Sequence, residues 1–210
     1  MNNPEAVVGP LLMEALSDRL LRHADADVWR AIFLNPTPGK VSFQTLRCTV
    51  LASDSPLDAT SPPEVALLAD RLGGEEQPAV TSDLLLSFRS PLAALRAALV
   101  LQRLSPRRGV RAAVTSVAGT VASVEIDGKV RRILVGPGIE RAELAVGASV
   151  AGTIWVCGET YNALGDTIAE HVRDGLVMTE LDEETVTCAS ITLPPHASAE
   201  ASTFAGLGRF

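Results

Sequence analysis

Apolar positions along this chain follow two rhythms. Between residues 11 and 23, Leu12, Ala15, Leu16 and Leu20 recur at the spacing of one helical face, with Arg19 as the single charged member. Asn35-Pro36-Thr37-Pro38-Gly39 then ends the N-terminal segment as a turn or linker. Residues 41–52 are rich in apolar and β-branched residues and predict a strand. Ser61-Pro62-Pro63-Glu64 carries the signature of a helix start, and the helix it opens stops at Gly73-Gly74. Glu75–Pro78 reads as a polar turn and 79–88 as a strand or hairpin. Ser90-Pro91 opens a strong helix that runs to Leu104.

The second half alternates more tightly. Residues 110–117 and 119–126 read as two strands, and Asp127-Gly128 is a hairpin turn into KVRRILV. A helix follows over Gly136–Ala145, a strand over 150–157, a short helix over Glu159–Leu164, and two strands near 172–178 and 185–192. Helices alternating with strands and hairpins predict an α+β sandwich of ferredoxin-like type, a mostly antiparallel sheet with helices packed on one face. The chain divides into an N-terminal helical lead (1–40), a core domain (41–192) and a small-residue tail (193–210) with the composition of a flexible segment. In that tail Phe204, Leu207 and Phe210 are three apolar anchors suited to docking on a protein partner.

Composition narrows the function classes. The 210 residues carry a net charge of −7 and 4% aromatics, which argues against phosphate neutralisation and against a base-stacking platform. No nucleic-acid partner is expected. Cys48, Cys157 and Cys188 form no CxxC pair and sit in apolar, strand-like contexts, as reduced core cysteines do. The longest apolar stretch, near Leu92–Leu101, is far short of the roughly 20 residues of a membrane span. With no basic leader, the expected location is cytoplasmic. Glu180, Asp182, Glu183 and Glu184 read as a solvated hairpin tip, and His23, His171 and His196 lack partners at metal-ligand spacing.

Four collinear stretches resemble the class III adenylate/guanylate cyclase homology domain: Cys48–Asp54, LLADRLGG running into Thr81–Leu104, Gly109–Val114, and Val135–Ala145 with Thr153–Leu164. The resemblance implies a nucleotide-cyclase-type sandwich and a dimer, as a homodimer or heterodimer. It also implies a carboxylate pair, Asp54 and Asp83, at the positions where the family holds Mg²⁺ or Mn²⁺. Read without the resemblance, Asp54 before Ser-Pro is also a good turn residue. Other family roles fall on unsuited residues. The base-reading Lys falls near Pro78 or Ala79, the base-reading Asp near Ile133, the ribose-orienting Asn at Glu140, and the charge-stabilising Arg at Leu144. Ser82 and Leu84 flank Asp83 where the family has glycines.

The resemblance therefore implies a catalytically inactive pseudo-cyclase, a regulatory or scaffolding module acting through dimerisation and partner binding. Two alternatives stay open. One is a weakly active or altered metal-dependent nucleotidyl cyclase acting on ATP or GTP; the other is a nucleotide-sensing module without turnover.

Overall fold

The computed structural model describes residues 13, 14, 16–18, 26–34, 40–54, 62–104, 109–165, 176–181 and 186–192. The tail anchors Phe204, Leu207 and Phe210, the Ser61 cap and most of the acidic stretch 180–184 lie outside the described residues. In chain order the elements are α1 (Ala26–Phe33), β1 (Val41–Asp54), α2 (Pro62–Leu72), β2 (Gly74–Gln77), β3 (Leu84–Phe88), α3 (Pro91–Leu104), β4 (Arg111–Ile126) and β5 (Lys129–Val135). They continue with α4 (Pro137–Ala148), β6 (Thr153–Cys157), α5 (Gly158–Leu164), β7 (Leu176–Leu181) and β8 (Val186–Thr192). The strands form one curled, mostly antiparallel sheet ordered β2-β3-β1-β4-β6-β8-β7, with β5 paired to the far half of β4. Among the described strands only the β4–β6 pairing is parallel.

The apolar runs in the central strands are continuous because both faces of the sheet are covered. Leu51, Leu86, Val114 and Ile154 point to one face, under α2 and α3. Their chain neighbours Val50, Leu85, Ala113 and Trp155 point to the other, under α4. The expectation of helices on one face is corrected here: α4 packs on the opposite side, through Ile139, Ala142, Ala145 and Val146. A third cluster seats α1 on the outer halves of β4 and β5, where Val28 and Ile32 meet Ala122, Val124 and Ile133.

Two further expectations change. Residues 111–126 form one unbroken strand, not two. Gly119 stays in register opposite Leu46, and a Cβ there would stand 3.1 Å from the Val135 carbonyl oxygen, so this glycine marks close packing of β5 and not a break. Most of Glu75–Pro78, expected as a turn, lies in edge strand β2, paired from Gly74↔Phe88 to Gln77↔Leu85. A Cβ at Gly74 would fall 2.4 Å from the Phe88 ring, so glycine is required for that pairing. The Asp127-Gly128 turn is as expected, with φ of 50° and 74° that match a two-residue hairpin loop. Cys48 and Cys157 are buried free thiols. No helix among the described residues is long and apolar enough to cross a membrane.

One buried amide pins the end of α3 to the sheet. The Gln102 side chain, 6% exposed, donates to the carbonyls of Val110 and Thr153 and accepts from the Val110 N–H at 3.2 Å. Gln102→Leu strands the Val110 N–H and the Thr153 carbonyl. Unfolding free energy should fall by about 2–3 kcal/mol. A urea denaturation midpoint that does not move would refute this role.

Candidate functional site

The two sequence-predicted carboxylates come from adjacent strand ends. Asp54 closes β1 and Asp83 immediately precedes β3. The Asp83 N–H donates to the Ser53 carbonyl at 3.0 Å, one step beyond the Ser53↔Leu84 pair. The structure thus places Asp54 and Asp83 at the same end of the neighbouring strands β1 and β3, with Asp83 exposed and Asp54 partly buried.

Asp54 already has a partner on its other side. The β1–β4 register sets it opposite Arg111. Its Oδ1 accepts the Arg111 backbone N–H at 2.7 Å and its Oδ2 accepts Arg111 Nε–H at 2.5 Å. A charge-assisted pair of this kind is stronger than neutral hydrogen bonds. A divalent cation at Asp54 would compete with the Arg111 backbone N–H at Oδ1 and the Arg111 guanidinium at Oδ2, and it prefers several carboxylate or water oxygens around it. No group of three or more metal-ligating side chains occurs among the described residues. As arranged, the donor set does not fit a resident Mg²⁺ or Mn²⁺.

The turn between β2 and β3 is also satisfied from within. Glu143 of α4 is 3% exposed, and its Oε1 accepts from the Val80 N–H at 2.5 Å, the Thr81 N–H at 3.2 Å and the Ser82 hydroxyl at 3.2 Å. Successive N–H groups converging on one point make an anion-binding concavity. Here the anion is the protein's own carboxylate.

The positions aligned with base-reading residues behave differently. Ala79 packs against the cluster beneath α4, whereas Ile133 is 3% exposed and belongs to the cluster beneath α1. Between β2 and β5 runs an open cleft of about 500 Å³, lined by Glu75, Gln77, Pro78, Arg131 and Arg132 among others. Arg132 reaches across it to Glu75 at 2.9 Å. Deeper in, Gln77 Oε1 accepts the Leu134 N–H at 2.9 Å while its Nε2 donates to Ser87 Oγ at 3.2 Å, so the buried amide bridges the two rims. On α4, Glu140 is exposed and Leu144 is 68% exposed.

Sequence reasoning missed Glu143, Arg111 and Gln77. For Glu143 a signal existed. Ile139, Ala142, Glu143 and Val146 sit at i, i+3, i+4 and i+7, so Glu143 is a charge within the buried stripe of its own helix.

Glu143→Ala leaves the Val80 and Thr81 N–H groups without their acceptor, while Ser82 Oγ keeps the Leu84 carbonyl, and stability should drop by about 2–4 kcal/mol, with Glu143→Gln retaining part of it. Chemical denaturation of both variants checks the order; equal stability of wild type and Glu143→Ala would exclude the clasp. Cys48 lines an adjoining groove, and burial pushes its thiol up from 9.0 to about 11. Near pH 8 its thiolate fraction should be about a hundredfold below that of a thiol titrating at 9.0, and alkylation should accelerate as pH rises toward 11. Peptide mapping after timed iodoacetamide exposure measures this; a rate at pH 8 equal to that of a free thiol contradicts it.

No protein-family model matches the chain, and no curated protein matches it. Solved structures do. The adenylyl cyclase CyaB from P. aeruginosa is 16% identical with a TM-score of 0.53, covering 73% of this chain and 97% of its own. The catalytic core of a rhodopsin-guanylyl cyclase with converted specificity, in complex with ATPαS, is 15% identical with a TM-score of 0.56, covering 74% and 100%. A non-canonical dimeric guanylyl cyclase domain of the RhoGC fusion protein from the fungus Blastocladiella emersonii is 17% identical with a TM-score of 0.50, covering 70% and 97%. With β1 carrying Asp54, the β2–β3 turn carrying Asp83 and α4 on the far face, this chain has the fold of the class III adenylate/guanylate cyclase domains.

Proposed function

We propose that this chain is a catalytically inactive cyclase-fold module that works by association, with a second copy or with a protein partner. The observation that carries the reading is the internal satisfaction of the candidate site. Glu143 fills the turn beside Asp83, and Arg111 holds both oxygens of Asp54. A metal–triphosphate complex would have to displace a guanidinium and approach a buried carboxylate of its own sign.

The electrophilic side of the site is equally unsuited. Leu144 stands where the resemblance puts the charge-stabilising arginine, and Glu140 stands where it puts a neutral amide. Loss of one such charge-stabilising donor typically costs about 10²–10³ in rate even in an intact site. Association is supported by the outer surface of α4 and the residues after it. Leu144 is 68% and Val150 70% exposed, and burying each fully is worth about 1.5–3 kcal/mol. A similar fold in the B. emersonii domain is dimeric. The tail anchors Phe204, Leu207 and Phe210 belong to the same reading, as a second contact for a protein partner.

Incubation with ATP or GTP and Mn²⁺ should give no cyclic AMP or cyclic GMP above an Asp54→Ala control. Cyclic nucleotide formation that Asp54→Ala abolishes would overturn the reading in favour of a metal-dependent cyclase. Heat on titration with millimolar nucleotide, without turnover, would favour the sensing alternative. In sedimentation or light scattering the protein should self-associate, and Leu144→Lys should weaken that by about tenfold or more, the equivalent of 1.4 kcal/mol. A monomer at high micromolar concentration argues for a different partner.

A further inference from the structure

We propose that the groove lined by Cys48, beside the open cleft, binds a small amphipathic carboxylate: a single ring or short apolar chain carrying one anionic head. The groove arises from unequal pairing. β3 covers only Thr49–Ser53 of β1, so among the described residues the first half of β1 has no neighbour on that edge. β2 and β5 approach each other through the Gln77 and Arg132 side chains. Residues of all five strands line the space that remains, about 180 Å³. Register decides which side chains enter it. Val121 opposes Leu134, Ser123 opposes Arg132, and Glu75 opposes Ser87. Directly opposed residues share a face, and all six line the groove.

The lining divides by chemistry. Leu134, Phe88 and Cys48 are buried, and Leu46 and Val121 pack partly buried beside them. The exposed members, Gln44, Glu75, Arg89 and Arg132, are all polar. A buried apolar lining with a few polar groups to fix orientation is the general form of a small-molecule site. The exposed part carries net positive charge. Arg132 is neutralised by Glu75 at 2.9 Å, whereas the Arg89 guanidinium has no partner among the described residues. One guanidinium is thus left over in a chain whose net charge is −7. It matches a carboxylate, which accepts two parallel N–H bonds from the planar fork. Ser123 on the facing strand adds a hydroxyl donor.

Size sets the rest of the ligand. An apolar cavity of about 150 Å³ holds one benzene ring. The groove therefore takes a ring of that size, or a chain of similar volume, with its head at Arg89. Drug-sized ligands occupy about 300–1,000 Å³, so a whole nucleotide is excluded from this space.

The full-length protein is titrated calorimetrically with phenylacetate near neutral pH. The expected Kd is about 1 mM or below, ordinary for a ligand of about ten non-hydrogen atoms. Phenylethanol, which keeps the ring and lacks the charge, and inorganic phosphate, which has charge and no apolar body, should each bind at least about tenfold more weakly. Arg89→Gln, at an exposed position, should weaken phenylacetate about tenfold without moving the urea midpoint. Ser123→Phe, filling the groove from β4, should abolish binding. Cys48 reports the location. At about pH 10 and ten times the Kd, phenylacetate should slow its alkylation by iodoacetamide roughly tenfold, and by only about twofold in Arg89→Gln at the same concentration. No binding up to about 20 mM, equal affinity for phenylethanol, unchanged affinity in Arg89→Gln, or Cys48 labelling indifferent to the ligand would each overturn the proposal. So would loss of binding in Arg131→Gln alone, which would put the ligand in the open cleft.

Discussion

The β1–β4 ladder is the constraint on which the rest of this molecule depends. It runs without a bulge from Val41↔Val124 to Asp54↔Arg111. Because side chains alternate, one register assigns every residue of both strands to a face, and a slip of one residue would exchange the faces. It sends Leu51 beneath α2 and α3 and Val50 and Ala52 beneath α4. It carries Ala122 and Val124 out to meet α1. At its last step it sets an arginine against the carboxylate that the site would otherwise offer to a ligand.

That last step and the Glu143 clasp share one physical logic. A buried or half-buried charge is costly unless it is paired and hydrogen-bonded. A site meant for a charged ligand leaves its donors and acceptors open to water until the ligand arrives. Here the acceptor oxygens of Asp54 and the donors of the 80–82 turn are met by groups of the same chain. The arrangement lowers the energy of the free protein, and every ligand contact at those atoms would first have to exceed what is displaced.

Most elements were legible because their local chemistry agrees with their tertiary setting. Strand β1, helix α3 and the Asp127-Gly128 hairpin announce themselves through apolar runs, a Ser-Pro start and a turn dipeptide that favours positive φ. The failures share a cause in long-range pairing. Gly-Glu-Glu-Gln has poor strand propensity, and β2 exists because β3 offers a ladder and Phe88 needs a glycine opposite. Gly119 looks like a break until β5 is laid across it. The apolar stripe of α4 can be read from the chain, but not which face of the sheet it covers. Asp54 and Asp83 were found through the resemblance, while Arg111 became visible only as a register partner and Gln77 only as a bridge between strands distant in sequence.

The Gln77 bridge has a mechanical consequence. β2 and β5 flank the same cleft, and the contacts that join them, Gln77 to Leu134 and Arg132 to Glu75, are made by side chains, not by a backbone ladder. A ladder resists opening because its bonds must break together and the strands must separate as rigid bodies. A glutamine amide swings on a few side-chain torsions, each with its own low-energy rotamers. Opening between β2 and β5 therefore costs two side-chain contacts, the Gln77 bridge and the Arg132–Glu75 pair, and leaves the backbone ladders of both strands intact.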